Sequence, residues 1–364
     1  MYFDRRTLLK AGAAVTLTAG LPRFAAAAFD PQPGAWRTFD IVTKLEIAKP
    51  EGKTQAWVPV PAVNEADWFK SLGSQWTTNG HASLKRDAKH GAEFVHVEWK
   101  DGETAPAITV TSRIATRDRN VDLGKAGSAQ LSAAEMKHYT EGTDLIPTDG
   151  IVKETSDKIV AGAKTDVEKV RAVYEWIVDN TQRNAKTRGC GIGDIASMLK
   201  TGNLTGKCAD LNALYVGLVR AQGIPARDVY GLRVAPSKFG YKSLGAGSET
   251  VTKAQHCRAE VNLAGLGWVP VDPADVRKVV LEEPPANLAL NDPKVMDARA
   301  KLFGAWEGNW LAYNFAHDIA LPGATGPKLG FLMYPQAECG PHRLDCLDPD
   351  TFKYTITAKE QTAA

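Results

Sequence analysis

The sequence predicts an α+β fold in two parts: an amino-terminal β-sandwich-like domain, then a domain in which a buried helix packs on an antiparallel sheet. Alternation of apolar and polar residues, the mark of half-buried strands, recurs before residue 120. Helical spacing of apolar residues begins only after residue 150, and alternation returns after residue 255. The 364 residues, 44% of them apolar, suffice for two domains with a sizeable core.

The amino-terminal strands are predicted from their two-residue period. Phe39, Ile41 and Leu45 fall on one face of the first segment, and Asp40 and Lys44 fall on the other. Similar segments follow at 55–60, 94–99 and 108–114, with Gly, Pro and Asn between them. We therefore expect a β domain over 29–120 and a polar linker over 121–150.

The second domain, 151–364, begins with helices. Thr165 and Glu168 form a capping-box pattern, and Asp194 is placed to cap a second, short helix. The helix after Cys208 carries apolar residues at helical spacing: Leu211, Leu214, Tyr215, Leu218 and Val219. Strands are predicted at 257–263 and 268–271, and residues 281–364 alternate like further strands that extend this sheet.

The first 28 residues predict an export signal. Arg5 and Arg6 precede an apolar run, Ala11 to Leu21, and a small-residue stretch that suits cleavage before Phe29. The paired arginines resemble the twin-arginine type, so we expect an exported, periplasmic protein. Eleven residues are too few for a membrane span, which needs about 20, so no membrane insertion is expected after cleavage. A net charge of only +2 argues against a nucleic-acid partner.

Cys208 is the candidate nucleophile. It lies at the start of the buried amphipathic helix, where unpaired backbone N–H groups and the helix dipole favour negative charge. A cysteine in such a place beside a histidine ionises at about pH 3.5–7.5. Gly206, two residues before it, lets backbone or substrate approach closely.

His256 and Asp272 are the candidate base and orienting acid. His256 opens an alternating segment whose apolar face holds Cys257 and Ala259, so the imidazole points to the opposite face. A hairpin folded at Ala264, midway between His256 and Asp272, would set the two side chains opposite each other. A carboxylate on one ring nitrogen fixes the tautomer and leaves the other nitrogen for the thiol.

Four segments carry a family resemblance: G-K-C-A-D-L-N-A-L, R-A-Q-G-I-P-A-R, H-C-R-A-E-V and G-W-V-P-V-D-P. In this order they resemble the core of the transglutaminase-like superfamily, relatives of papain-type thiol enzymes, and the chain is similar to its exported bacterial members. The resemblance implies a papain-like transglutaminase core. It matches Cys208 to the nucleophile, His256 to the base and Asp272 to the orienting acid. It implies acyl transfer through a thioester, with no metal or organic cofactor.

Three further residues are candidates for the site. The backbone N–H of Cys208 is one candidate donor to the oxyanion, and the Gln182 side chain is a second, against the alternative of a solvated helix end. Trp268 and Trp310 are candidates for the floor of a substrate groove, with an aromatic core as the alternative.

The other four cysteines are interpreted structurally. Cys257 is expected in the core, and Cys190 lies in a glycine-rich loop that either lines the cleft, forms a tight turn or supplies a disulfide partner. Cys339, His342 and Cys346 have metal-like spacing, but a disulfide or free thiols are preferred to zinc because a fourth ligand is missing.

The sequence thus predicts cleavage or transfer at a peptide, protein or cell-wall amide bond. Hydrolysis is favoured over cross-linking, because water is the default acceptor in an open cleft. The alternative is a non-catalytic peptide- or protein-binding module on the same fold, in which Cys208 is not activated.

Overall fold

The computed structural model describes residues 28–125, 127–348 and 352–361. The predicted export signal lies outside the described residues, apart from its last position. Within the described ranges, no helix combines the length and the apolar character needed to cross a membrane.

The first part of the chain folds into antiparallel strands. They are β1 (Arg37–Glu46), β2 (Thr54–Val60), β3 (Phe69–Thr78), β4 (His81–Arg86), β5 (Glu93–Glu98), β6 (Ala107–Thr116) and β7 (Arg119–Asn120). Phe39, Ile41 and Leu45 are buried on β1, as the alternation predicts. The pattern misses β3 and β4 because both strands are largely exposed and lack an apolar face.

Seven α-helices and twelve strands follow in the described part of the chain, and the last three of these strands are described below. The helices are α1 (Ala133–Thr140), α2 (Gly150–Val160), α3 (Asp166–Asn180), α4 (Ile195–Thr201), α5 (Cys208–Arg220), α6 (Pro273–Glu282) and α7 (Pro293–Lys301), with a 3-10 turn at Lys242–Leu244. The strands are β8 (Gln182–Arg183), β9 (Thr205–Gly206), β10 (Ala226–Arg233), β11 (Gln255–Leu263), β12 (Gly267–Val271), β13 (Ala305–Trp306), β14 (Trp310–Asn314), β15 (His317–Ile319) and β16 (Leu329–Phe331). Helix α1 lies within the segment expected to be a linker.

Both predicted helix caps are present. The Glu168 N–H donates to Thr165 Oγ1 at 3.2 Å, and the Glu168 carboxylate accepts from the Thr165 N–H at 2.9 Å. At the start of α4, Asp194 accepts from the Ser197 N–H at 3.0 Å. These bonds satisfy N–H groups that have no partner within the helix.

Helix α5 packs on a four-stranded antiparallel sheet of order β12-β11-β10-β14 and is covered by α2, α3 and α6. Every residue of α5 is buried, since it has sheet on one side and helices on the other. Leu211, Leu214 and Leu218 are fully buried, each contributing roughly 2 kcal/mol. A rigid central helix therefore fixes the position of its first residue, Cys208.

The last strands return to the amino-terminal sheets, which corrects the expectation that all strands beyond residue 281 extend the central sheet. Strands β17 (Gln336–Cys339) and β18 (His342–Arg343) join the sheet β18-β17-β2-β5-β4, and β19 (Lys353–Gln361) joins β19-β1-β6-β3. Of the later strands, only β14 extends the central sheet. Alternation identifies a strand and its buried face, but it does not identify the strand's partner.

The two amino-terminal sheets bury their apolar faces against each other as a β-sandwich. Their shared core includes Leu45, Val58, Val97, Val110 and, from the carboxy-terminal segment, Phe352. The sandwich is thus completed by β17, β18 and β19, and these three strands do not extend the sheet of the second domain.

Candidate active site

Cys208 is the first residue of α5 and is 2% exposed. The next N–H groups of the helix are used, since Ala209 donates to the Cys190 carbonyl at 2.9 Å and Leu211 donates to the Lys207 carbonyl at 3.0 Å. The Cys208 N–H has no acceptor among the described residues. It is therefore free to donate to a negative oxygen next to the thiol.

A reverse turn at Gly265 joins β11 to β12 in a register that differs from the predicted one. Ala259 pairs with Val271, so the position opposite Asp272 belongs to Arg258 and not to His256. His256 is the diagonal neighbour of Asp272 on the same face, still within reach of its side chain. His256 Nε2 and Asp272 Oδ2 are 2.7 Å apart. The expected contact is present, through a register shifted along the hairpin.

The Asp272 carboxylate is held in place by two hydrogen bonds and one ion pair besides the bond from His256. As N-cap of α6 it accepts from the Asp275 N–H at 3.0 Å, and it accepts from Asn212 Nδ2 at 3.1 Å. The Arg258 guanidinium lies 3.7 Å away. Asn212 is one helical turn after Cys208 on the same face of α5. That spacing was a signal for Asn212 that the sequence analysis missed.

A second carboxylate, Asp275, also reaches the imidazole. Its Oδ2 lies 3.4 Å from His256 Nε2, and its Oδ1 accepts from Arg233 Nη2. Asp275 and Asp272 are three residues apart at the start of α6, a spacing that places both on one side of the helix. Neither Asp275 nor Arg233 is among the site residues expected from the sequence.

Charge at the site favours an imidazolium beside a thiolate. Burial and the Arg233 charge lower the pKa of His256, but Asp275 and Asp272 outweigh them and raise it to about 9. Hydrogen bonds from the Cys190 and Cys257 thiols, together with His256, lower the pKa of Cys208 well below its usual range despite burial. Since Nε2 of His256 is bonded to Asp272, the nitrogen left for the thiol is Nδ1.

The two carboxyl groups differ in their titration. Burial and the neighbouring Asp275 raise the pKa of Asp272. Burial also raises the pKa of Asp275, but Arg233 and His256 outweigh it and hold that pKa well below its usual range. Arg233 thereby keeps a negative charge beside the imidazole.

Three cysteines meet at the start of α5. Cys257 is fully buried in the core, as expected, and its thiol also bonds Cys208. Cys190 lies in the cleft, where its Sγ donates to the Gln255 carbonyl at 3.3 Å. The hydrogen bond to Cys208 and burial raise the pKa of Cys190, and burial and that bond raise the pKa of Cys257. All five cysteines are free thiols in the structure.

A cavity of about 600 Å³ opens onto Cys208 and His256. One wall comes from the carboxy-terminal segment, through Tyr334, Leu347, Phe352 and Tyr354. These residues lie far along the chain from the nucleophile, and nothing in their local sequence indicates this position. The segment that completes the sandwich therefore also completes the cleft.

Gln182 does not join the site. It is exposed on β8, whereas the next residue, Arg183, lines the cavity. Strand β8 pairs in parallel with β9, which places Arg183 beside Gly206. Because successive side chains on a strand point to opposite sides, Arg183 faces the cleft and Gln182 faces away from it.

Trp268 also lies away from the cavity. Trp268 is half-buried on β12. The centroid of its ring lies 4.0 Å from Cζ of the Arg227 guanidinium and 4.8 Å from the centroid of the Tyr139 ring. Trp310 is core: its Nε1 donates to the His256 carbonyl at 3.0 Å and so supports the strand that carries the imidazole. The expectation of a groove floored by Trp268 is replaced by a cleft walled by the carboxy-terminal segment.

Asp210 fastens the loop that carries Cys190. Its carboxylate accepts from the N–H groups of Lys207, Ile192 and Gly193 at 2.9 to 3.0 Å. A Cβ on Gly206 would lie 2.4 Å from Asp210 Oδ2. Gly206 therefore makes room for this carboxylate, and not directly for substrate as the sequence suggested.

One group of possible metal ligands occurs among the described residues: His256, Asp272 and Asp275. Their polar atoms already bond each other, Asn212 and Arg233, so an ion would have to displace these partners. Cys339, His342 and Cys346 do not gather into such a group.

The chain is similar to known proteins both in sequence and in fold. Residues 153–273 match the model of the transglutaminase-like superfamily. An uncharacterised protein of Haemophilus influenzae is 36% identical over 340 residues, which cover 89% of this chain and 90% of that protein. The chain belongs to the transglutaminase-like superfamily.

A solved structure shares the transglutaminase-like fold. It is a candidate cysteine protease from Cytophaga hutchinsonii, superimposed with a TM-score of 0.51 over 90% of this chain and 99% of that one. At 16% identity the likeness concerns the fold alone. The transglutaminase-like match ends at Pro273, so it includes Cys208, His256 and Asp272.

Proposed function

We propose that this protein is an exported, thiol-dependent hydrolase of amide bonds that works through a thioester on Cys208. One observation carries the proposal: Cys208 begins a buried helix and lines the same cavity as His256, and His256 Nε2 lies 2.7 Å from Oδ2 of the buried Asp272. The imidazole also lowers the pKa of Cys208. A nucleophile, a base and an orienting acid in this order are the requirements of thiol acyl chemistry.

In the first half of the reaction, the Cys208 thiolate attacks the carbonyl carbon of the amide. The C–S bond forms as the carbonyl π electrons move to oxygen, and the Cys208 N–H donates to the resulting oxyanion. His256 then gives its Nδ1 proton to the amide nitrogen as the C–N bond breaks. The amine leaves, and the acyl group remains on Cys208 as a thioester.

In the second half, water replaces the amine. Neutral His256 takes a proton from water at Nδ1 while the water oxygen attacks the thioester carbon. The tetrahedral intermediate collapses with cleavage of the C–S bond, releasing the acid and restoring the thiolate and imidazolium. Asp272 keeps Nε2 protonated and the ring oriented throughout. Water is the proposed acceptor because the cleft is open to solvent.

The substrate we propose is a peptide, protein or cell-wall amide. The similarity in fold to a candidate cysteine protease supports a peptide bond. The exported location rests on the sequence of residues 1–28. Fusing these residues to a folded reporter tests it: the reporter should leave the cytoplasm, and replacing Arg5 and Arg6 by Lys should retain it inside.

The hydrolase proposal is tested with a pool of synthetic peptides and mass spectrometry. The mature wild type should create new amino termini, whereas Cys208→Ala should create none while it keeps the wild-type circular dichroism. With methylamine present, products should remain mainly free acids; a majority of methylamides would favour transfer. Equal cleavage by wild type and Cys208→Ala would contradict the proposal.

A binding module without turnover is the second candidate, and the 2% exposure of Cys208 is the observation that favours it. It requires that Cys208 be an ordinary thiol. Peptides would then bind both wild type and Cys208→Ala with equal affinity and remain intact.

A further inference from the structure

The wall of the cleft has an unusual charge. Of its 22 lining residues, six are Lys or Arg and none is Asp or Glu. The whole chain is nearly balanced, with 44 basic and 42 acidic residues. The basic lining residues are Arg183, Arg188, Lys207, Arg233, Lys253 and Lys278.

The nearby carboxylates do not neutralise this wall completely. Three arginines pair with acids that lie outside the lining: Arg183 with Glu282, Arg188 with Asp345, and Arg233 with Asp275. Lys278 is 3.8 Å from Glu282, which it shares with Arg183. Among the described residues, Lys207 and Lys253 have no ion-pair partner. The lining of the cleft therefore carries an excess of positive charge.

Concave sites lined by one sign of charge concentrate ions of the opposite sign, by roughly 10- to 1,000-fold. We propose that the cleft selects an acidic peptide, whose carboxylates lie beside the scissile amide and bind Lys207 and Lys253. This inference rests on the proposed function, since it names the substrate class of that site. Lys207 adjoins Cys208 in sequence and Lys253 lies three residues before His256. Carboxylates a few residues from the scissile bond can reach both.

Two alkylating reagents of similar size test the charge directly: iodoacetate, an anion, and iodoacetamide, which is neutral. Both react only with the thiolate, so the ratio of their rates at Cys208 is independent of its pKa. The ratio is measured by mass spectrometry in the mature protein and compared with that of free cysteine. At low salt we expect a ratio at least about tenfold above that of free cysteine. In about 1 M salt, where the Debye length falls to about 3 Å, this preference should largely disappear.

Lysine variants separate the wall from the imidazolium, which also attracts an anion. Lys207→Gln and Lys253→Gln should each lower the ratio about threefold or more and leave the iodoacetamide rate within about twofold. The matched control is Lys85→Gln, an exposed lysine on β4 that does not line the cleft. It should leave the ratio unchanged.

Three results overturn the inference, and the first two show whether the proposed function fails with it. Rapid alkylation by iodoacetamide with the ratio of free cysteine would remove the charge selection and leave the thiol enzyme intact. If neither reagent alkylates Cys208 in the folded protein, the proposed function fails, and this inference fails with it. In the peptide pool, cleavage sites flanked by neutral residues rather than Asp or Glu would also overturn it.

Discussion

Replacing Asp272 by Asn removes one negative charge from the imidazole with little change in shape. The Asn212 and Asp275 N–H bonds to Oδ1 remain possible, because an amide oxygen also accepts. What changes is the partner of His256 Nε2, since an amide nitrogen would donate to that atom and favour the wrong tautomer.

The magnitude follows from the charges around His256. Its pKa of about 9, against an ordinary 6.5, corresponds to roughly 3 kcal/mol of net stabilisation of the imidazolium. Asp275 and Asp272 provide this against the opposing effects of burial and Arg233. Because Asp275 remains 3.4 Å from Nε2, we expect a fall of about 1 to 2 pKa units, and a 10- to 100-fold smaller ratio of ion pair to neutral pair.

The assay combines a titration and a rate. Histidine-labelled protein followed by nuclear magnetic resonance gives the pKa of His256 in wild type and Asp272→Asn, with the exposed His81 as internal control. Alkylation of Cys208 near neutral pH should slow in parallel, while the thermal unfolding midpoint changes little. An unchanged pKa of His256 together with an unchanged alkylation rate would refute the assignment of Asp272.

Two predictions concern stability. Gly191 and Gly202 both have a positive φ, but a Cβ on Gly191 would lie 1.9 Å from the Asp210 carboxylate, whereas nothing lies within 4 Å at Gly202. Denaturant unfolding should therefore show a cost of about 1–2 kcal/mol for Gly202→Ala, and at least about 2 kcal/mol more for Gly191→Ala; equal costs would contradict this packing. Burial raises the pKa of Asp228 from 3.8 to about 7, so the folded state binds its proton more tightly than the unfolded state. Ionisation of Asp228 therefore lowers the free energy of unfolding as the pH rises from 3.8 to about 7. Asp228→Asn should raise the unfolding free energy by roughly 2–4 kcal/mol near pH 8 and by little below about pH 4; the exposed control Asp101→Asn should do neither, and an equal gain at both pH values for Asp228→Asn would contradict the titration.

The contact between His256 and Asp272 was predictable although its register was not. Alternation assigns each residue of a strand to a face, and that assignment survives a shift of the hairpin by two positions. The turn itself, with Gly265 and Gly267 both at positive φ, sets the register that places Arg258 opposite Asp272. Local pattern thus predicts the face, and turn geometry decides the pairing.

The remainder of the site depends on contacts between distant segments. Arg183, not Gln182, enters the cleft because a two-residue strand pairs with β9, and so short a pairing leaves no periodic signal. Tyr334 and Tyr354 reach the cleft because the carboxy-terminal strands return to the first sheets. Such pairings depend on how the whole molecule packs, and the sequence of a single segment does not determine them.

The rate of iodoacetamide alkylation of each cysteine as a function of pH shows directly whether His256 activates Cys208. In the wild type, Cys208 should react fastest below about pH 7, while Cys190 and Cys257, whose pKa values are raised, stay slow. His256→Ala should remove most of this advantage. A Cys208 that titrates like a free thiol in the wild type, or one whose reactivity does not depend on His256, would contradict its assignment as an activated nucleophile.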